Sequence, residues 1–199
     1  MRDEVRELID EVVDSMQRRI PCWGYPVDTG RMIRAIRHCR MLSYQKLAEL
    51  SHCEAREIAR YLKSADGCTH YARKTGNYLI AVNEDGRSAA RIRWTVAHEV
   101  GHIAAGHFLE IDDNFLPNDR LMEEEANYFA ASLLAPFEEI WKNRLRGARE
   151  ISLYFGISAE AAEYRWREYL RSEWGKGQTV LRFGGAPDIR PEEGERCAL

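Results

Sequence analysis

The chain is short of several things, and each shortage closes a class of function. It has five cysteines, Cys22, Cys39, Cys53, Cys68 and Cys197. They are odd in number and widely spaced, with no C-x-x-C pair. That pattern excludes a disulfide frame and a cysteine-bound zinc site, and it predicts free thiols in a reducing cytoplasm. No apolar run approaches the roughly 20 residues that cross a bilayer, and the N-terminus does not read as a signal peptide. The net charge is only −3, too slight a field for a whole-molecule binder of nucleic acid or membrane. There is no internal repeat. What the chain does have is 45% hydrophobic residues over 199 positions. That is enough for a real core in one domain, or in one domain with an appendage.

The densest chemistry lies from Trp94 to Gly106, WTVAHEVGHIAAG. His98, Glu99 and His102 make the pattern H-E-x-x-H. Each residue of an α-helix turns about 100°, so positions four apart lie about 40° apart on one face. His98 and His102 therefore point the same way and can hold one metal ion. Zinc is the usual metal for such a set, with manganese or another divalent ion as the alternative. Zinc lowers the pKa of its water from about 15.7 towards 7. Glu99 lies next to the ligand face, where it can take a proton from that water as general base. Val96, Ala97, Val100, Ile103, Ala104 and Ala105 surround the trio with apolar or small side chains. Ionisable groups on so apolar a helix need a partner.

A third ligand is available downstream in EEEANYFAASLLAP, residues 123–136. Two histidines and a glutamate form a catalytic zinc set with the fourth position left to water. Asn127 follows Glu123 by one turn and can orient a ligand. Ala126, Ala130 and Ala131 keep one side of this helix thin, so it can approach the H-E-x-x-H helix closely. Spacing alone does not separate Glu123 from Glu124 or Glu125.

These two blocks together resemble the ImmA/IrrE family of metallo-endopeptidases. The first carries the likeness at Arg91, Arg93, Trp94, Thr95, Ala97, His98, Glu99, Gly101 and His102. The second carries it at Glu123, Ala126, Asn127, Phe129, Ala130, Leu133, Leu134 and Pro136. The likeness is continuous from about Asp66 to Arg167 and weaker upstream. It implies a gluzincin-like zincin with Glu123 as the third ligand. It also implies a regulatory protease that cuts a cognate helix-turn-helix repressor, encoded beside it on a phage, mobile element or stress regulon. A metzincin is excluded by register, since Ala105 and Phe108 stand where that pattern needs Gly and His. His107 falls one residue out of that register and reads as a residue behind the ligands or facing solvent.

Along the chain, residues 3–19 repeat apolar positions at helical spacing, with Val5, Leu8, Ile9, Val12, Val13 and Met16 on one face. Pro21 ends that helix, and the loop from Cys22 to Gly30 follows. Residues 31–63 read as three short helices broken near Leu42 and Ser51. The stretch from Ser43 to Leu50, with Ile58 and Leu62, resembles a helix-turn-helix. It is also basic, through Arg31, Arg34, Arg37, Arg40, Lys46, Arg56, Arg60 and Lys63. Contact with nucleic acid through residues 31–63 is an alternative to a helical brace. Thr69 to Arg73 and Tyr78 to Val82 read as a hairpin around Lys74 to Asn77. An edge of that hairpin is expected to serve as the substrate shelf, tested by proline at Tyr78 or Ile80. Ser88 is the expected cap of the zinc-motif helix. The acidic stretch from Glu110 to Asn118 links it to the helix bearing Glu123. Two helices over 148–173 meet at Phe155-Gly156-Ile157-Ser158, a second helix-turn-helix-like unit whose Glu160 and Glu163 disfavour DNA. A strand is expected from Thr179 to Phe183 and a mobile tail from Gly184 to Leu199.

The sequence thus predicts an α+β protein, mostly helical and zincin-like, with a small antiparallel sheet flanked by helical segments. The expected divisions are a helical N-terminal region (1–65), a catalytic core (66–136), C-terminal helices (137–175) and a tail (176–199). The expected function is zinc-dependent cleavage of a helix-turn-helix repressor in the cytoplasm, relieving repression, with no membrane contact. His98, His102 and Glu123 hold the metal, Glu99 is the base and Asn127 supports a ligand. Tyr128, His107 and His70 are candidates for a second oxyanion donor. The alternatives are a DNA-binding regulator, and a partner that sequesters a repressor without cutting it.

Overall fold

The computed structural model describes residues 2–20, 23–109, 119–172 and 174–175. Pro21, Cys22, the stretch from Glu110 to Asn118, the strand expected from Thr179 and the tail with Cys197 lie outside them. Helix α1 (Asp3–Arg19) is followed by α2 (Thr29–Ala35), strand β1 (Cys39–Ser43), α3 (Tyr44–Ser51) and α4 (Ala55–Leu62). A hairpin of β2 (Gly67–Ala72) and β3 (Asn77–Val82) precedes α5 (Ala89–Ala104). A single 3-10 turn (His107–Leu109) then leads towards α6 (Arg120–Leu134), α7 (Phe137–Lys142), α8 (Ala148–Phe155) and α9 (Ala159–Arg171). None of the described helices is long and apolar enough to cross a membrane.

The expected hairpin is present, and the structure adds a third strand to it. β3 is the central strand: it pairs antiparallel with β2, Thr69 opposite Ile80, and parallel with β1, Met41 opposite Ile80. The sheet is therefore mixed. The break expected near Leu42 is this strand, a five-residue piece between α2 and the Ser43 cap of α3. Its central position also corrects the placing of the shelf. Tyr78 and Ile80 lie on β3 with neighbours on both sides, and Ile80 is buried. The hairpin's open edge is β2.

Two apolar clusters lie on opposite faces of the sheet. The smaller joins Tyr44, Ala48 and Ile58 of α3 and α4 to Ala81. This pair of helices, with its basic residues exposed, braces the outer face. The larger cluster holds α5 between the sheet and α6, and runs from Ile9 and Val13 of α1 to Ile151, Ala162 and Tyr169 of α8 and α9. Arg93 of α5 crosses that cluster, donating to the carbonyls of Val27 and Gly156. From α9, the buried Arg165 donates to the Ala135 carbonyl at 2.7 Å, just past the end of α6.

The contact that matters most for the site is α5 against α6. A Cβ on Gly101 would come within 3.0 Å of both the Cα and the carbonyl oxygen of Ala126. Ala126 and Ala130 are fully buried. Gly101 and the alanines thus let the two backbones meet without an intervening side chain. Capping fixes where each helix starts. Ser88 accepts from the Arg91 amide, and Asp119 accepts from the amides of Leu121 and Met122.

Candidate metal centre

Glu123 on α6 faces His98 and His102 on α5. The two Nε2 atoms lie 3.1 Å apart. Glu123 Oε2 is 3.3 Å from His98 Nε2, and Oε1 is 3.5 Å from His102 Nε2. Zinc bonds nitrogen and oxygen at about 2.0–2.2 Å, so the edge of its tetrahedron is about 3.4 Å. The three observed separations bracket that length. Two imidazole lone pairs and a carboxylate repel one another at such distances unless a cation lies between them. The donor set therefore fits zinc, or another divalent ion of similar size. Among the described residues no other His, Cys, Asp or Glu group converges in this way.

The second nitrogen of each histidine is also engaged. His98 Nδ1 lies 3.1 Å from Asn127 Oδ1, the contact expected from Asn127's place one turn beyond Glu123. His102 Nδ1 lies 2.9 Å from His107 Nδ1, and His107 Nε2 lies 3.0 Å from Glu125 Oε2. Burial holds His98 and His102 below the usual imidazole pKa, His102 down to about 3 with the help of His98 and His107. Their rings are thus neutral, with lone pairs to give.

The three adjacent glutamates separate cleanly. Glu123 points into the centre, Glu124 pairs with Arg120 at 3.0 Å, and Glu125 pairs with His107. Consecutive helical residues diverge by about 100°, so only one of the three can face the histidines.

Glu99 is 7% exposed. Its Oε2 accepts from the Thr69 hydroxyl at 2.7 Å. Burial raises its pKa to about 7, against the lowering effect of the Thr69 side chain and backbone amide and with a further push from Glu123. The carboxyl is therefore divided between its proton-accepting and proton-donating forms near neutral pH. Thr69 is a residue that the sequence did not single out. It lies 30 positions before Glu99, and no local spacing links a strand hydroxyl to a helix that far away. Its presence brings β2 against Glu99. Asn83 donates to the Asp66 carbonyl at 2.8 Å. Ladder bonds on β2 therefore fall at Asp66, Cys68 and His70, and the backbone of Gly67, Thr69 and Tyr71 turns to the open edge.

The three oxyanion candidates differ in their surroundings. Tyr128 donates to Asp10 of α1 at 2.9 Å. His107 lies between His102 and Glu125. His70 alternates with Thr69, so its side chain leaves the opposite face of β2. A cavity of about 840 Å³ opens between α5, α6 and α9, lined in part by Arg91, Trp94, Asn127, Tyr128 and Tyr164. Asn127 is at once a wall of this cavity and the support of His98.

Residues 55–167 match the family model of the M78 peptidases, described as an IrrE N-terminal-like domain. The match takes in α4, the hairpin, both ligand-bearing helices and most of α9. No curated protein matches the chain.

Proposed function

The chain belongs to the M78 peptidases with an IrrE N-terminal-like domain, and from that membership we propose that it is a zinc-dependent endopeptidase that cuts a helix-turn-helix repressor in the cytoplasm. The family makes it a metallopeptidase; the metal, the base and the substrate belong to the proposal. One observation carries that reading: Glu123 meets His98 and His102 at tetrahedral spacing while Glu99 is buried one residue away, on Thr69.

His98, His102 and Glu123 would hold the metal. When bound, it supplies a Lewis acid that polarises the peptide carbonyl and acidifies the attacking water. The rest of the chemistry belongs to the protein. Glu99 takes the water's proton and passes it to the departing amine, as a carboxyl poised near neutrality allows. Thr69 holds one Glu99 oxygen and leaves the other for the proton. Gly67 is closed by Ser64, whose hydroxyl bonds both its N–H and its carbonyl, so the open backbone of Tyr71 is what an extended substrate would pair with as the scissile bond runs past the metal centre. The cavity beside Asn127 receives side chains next to that bond.

The test is incubation, with zinc or manganese, of the protein and the repressor-like protein encoded nearest its gene, comparing wild type with Glu99→Gln. Cutting by wild type alone supports the proposal. If both forms bind metal and repressor and neither cuts, the protein is a sequestering partner. Cutting by both removes Glu99 from the role of base. A salt-dependent shift with duplex DNA, lost when the arginines of residues 31–63 are neutralised, would move DNA binding forward instead.

A further inference from the structure

We infer that His107 and Glu125 form a hydrogen-bonded relay that orients His102 and sets how tightly the centre holds its metal; the inference rests on the metal-site reading above. The argument starts from His102. Its Nε2 faces His98 and Glu123, and a ligand nitrogen must carry a lone pair. The proton of this neutral ring therefore sits on Nδ1. Nδ1 lies 2.9 Å from His107 Nδ1, so it donates there and His107 Nδ1 accepts. The proton of His107 is then on Nε2, which lies 3.0 Å from Glu125 Oε2 and donates to it. A requirement at one end fixes every proton along the chain. The carboxylate draws on His107, His107 draws on the His102 proton, and the His102 lone pair becomes a stronger donor.

The fold builds this arrangement with care. Gly106 takes φ +75°, in the left-handed region, which lets the chain stop α5 and turn back beneath it. The 3-10 turn that follows is pinned where Arg73 donates to the Phe108 carbonyl at 3.0 Å. His107 is 4% exposed, so the ring at the middle of the relay is shielded from competing water, while Glu125 at its end is partly open to solvent. His98 has only the neutral amide of Asn127 behind it. The two histidine ligands are thus unequal, and His102 is the one backed by a charge.

The experiment measures zinc affinity of the full chain by competition with a coloured chelator, alongside the melting temperature of each metal-free form. Wild type, His107→Leu, His107→Gln, Glu125→Gln and the Leu/Gln double variant are compared, with Glu124→Gln as control. His107→Leu is expected to weaken zinc by about 10–100-fold. His107→Gln, whose amide accepts on one side and donates on the other, should recover most of that. Glu125→Gln should weaken zinc on its own yet add nothing once His107 is leucine, because its effect passes through the ring. Glu124→Gln should match wild type. Single variants that bind zinc as wild type does, or a double variant whose losses multiply, would overturn the relay and leave the metallopeptidase reading intact. A wild type that binds no zinc would instead overturn that reading. Should the leucine variant fail to fold, nitrogen-15 imidazole spectra of wild type decide the matter. His102 protonated at Nδ1 and His107 at Nε2 support the relay, and a His107 protonated at Nδ1 ends it.

Discussion

A buried carboxyl with one oxygen tied to a hydroxyl has little freedom, and Glu99 is held this way by Thr69 at 2.7 Å. Glu99→Gln keeps the shape and the Thr69 contact but accepts no proton. Peptide cleavage should fall by about 10²–10⁴-fold while bound metal stays at one equivalent; loss of the metal as well would mean that Glu99 also shapes the ligand set. Thr69→Val removes the hydroxyl and keeps the volume. Misplacing the base is expected to cost about 1.5 kcal/mol, or about tenfold in kcat, with KM held. An unchanged kcat would show that the strand hydroxyl has no part in placing the base. These two residues mark the limit of what sequence shows at this scale. His98, Glu99 and His102 are legible because one helix carries all three at a known angle. Thr69 is not, since it comes from another element. Glu123 lies between: spacing leaves three neighbours competing for one role, the family resemblance picks Glu123, and the rotation of α6 against α5 brings that residue to the histidines.

At the scale of elements, that rotation depends on how closely the helices meet. Gly101→Ala puts a Cβ within 3.0 Å of backbone atoms of Ala126, which cannot swing aside as a side chain tip can. The expected cost is about 1–3 kcal/mol of overpacking. It should appear as a melting temperature several degrees lower and weaker zinc binding, because the displaced helix carries Glu123. Normal melting and normal zinc binding would mean that α5 and α6 shift without consequence. The helices themselves are legible from their periodicity and caps, with Ser88 accepting from the expected turn and Ser158 capping α9 in the same way. Strand β1 was not. Five residues between helices carry too few repeats to show a period, and its partner β3 lies more than thirty positions away. Missing β1 is what placed the open edge on the wrong strand of the hairpin.

Across the whole molecule, the proposed metal centre spans α5 and α6, and the same core continues from α1 to α9. Metal bound only by the folded form adds stability by mass action. At a free zinc concentration about 100 times Kd the gain is about 2.7 kcal/mol, or about 5–10 °C in Tm for a chain of this size. A chelator should remove it, and His102→Ala should show no zinc-dependent shift. Arg93 tests the cohesion differently, since its guanidinium ties α5 to the carbonyls of Val27 and Gly156, which come from two separate stretches of chain. Arg93→Ala should cost about 2–4 kcal/mol by thermal unfolding and leave zinc affinity nearly untouched, because the ligands do not depend on that bond. The three glutamates on the first turns of α6 have a last consequence. Each answers to a different neighbour at its own angle, so the helix works like a key cut on three sides. Exchanging one residue blunts a single cut. Inserting one residue between Glu125 and the buried Ala126 turns all three glutamates by about 100° against the packed face of α6, presenting Glu124 to the histidines and moving Glu125 off His107. This turn of helix should therefore tolerate changes of spelling far better than changes of length.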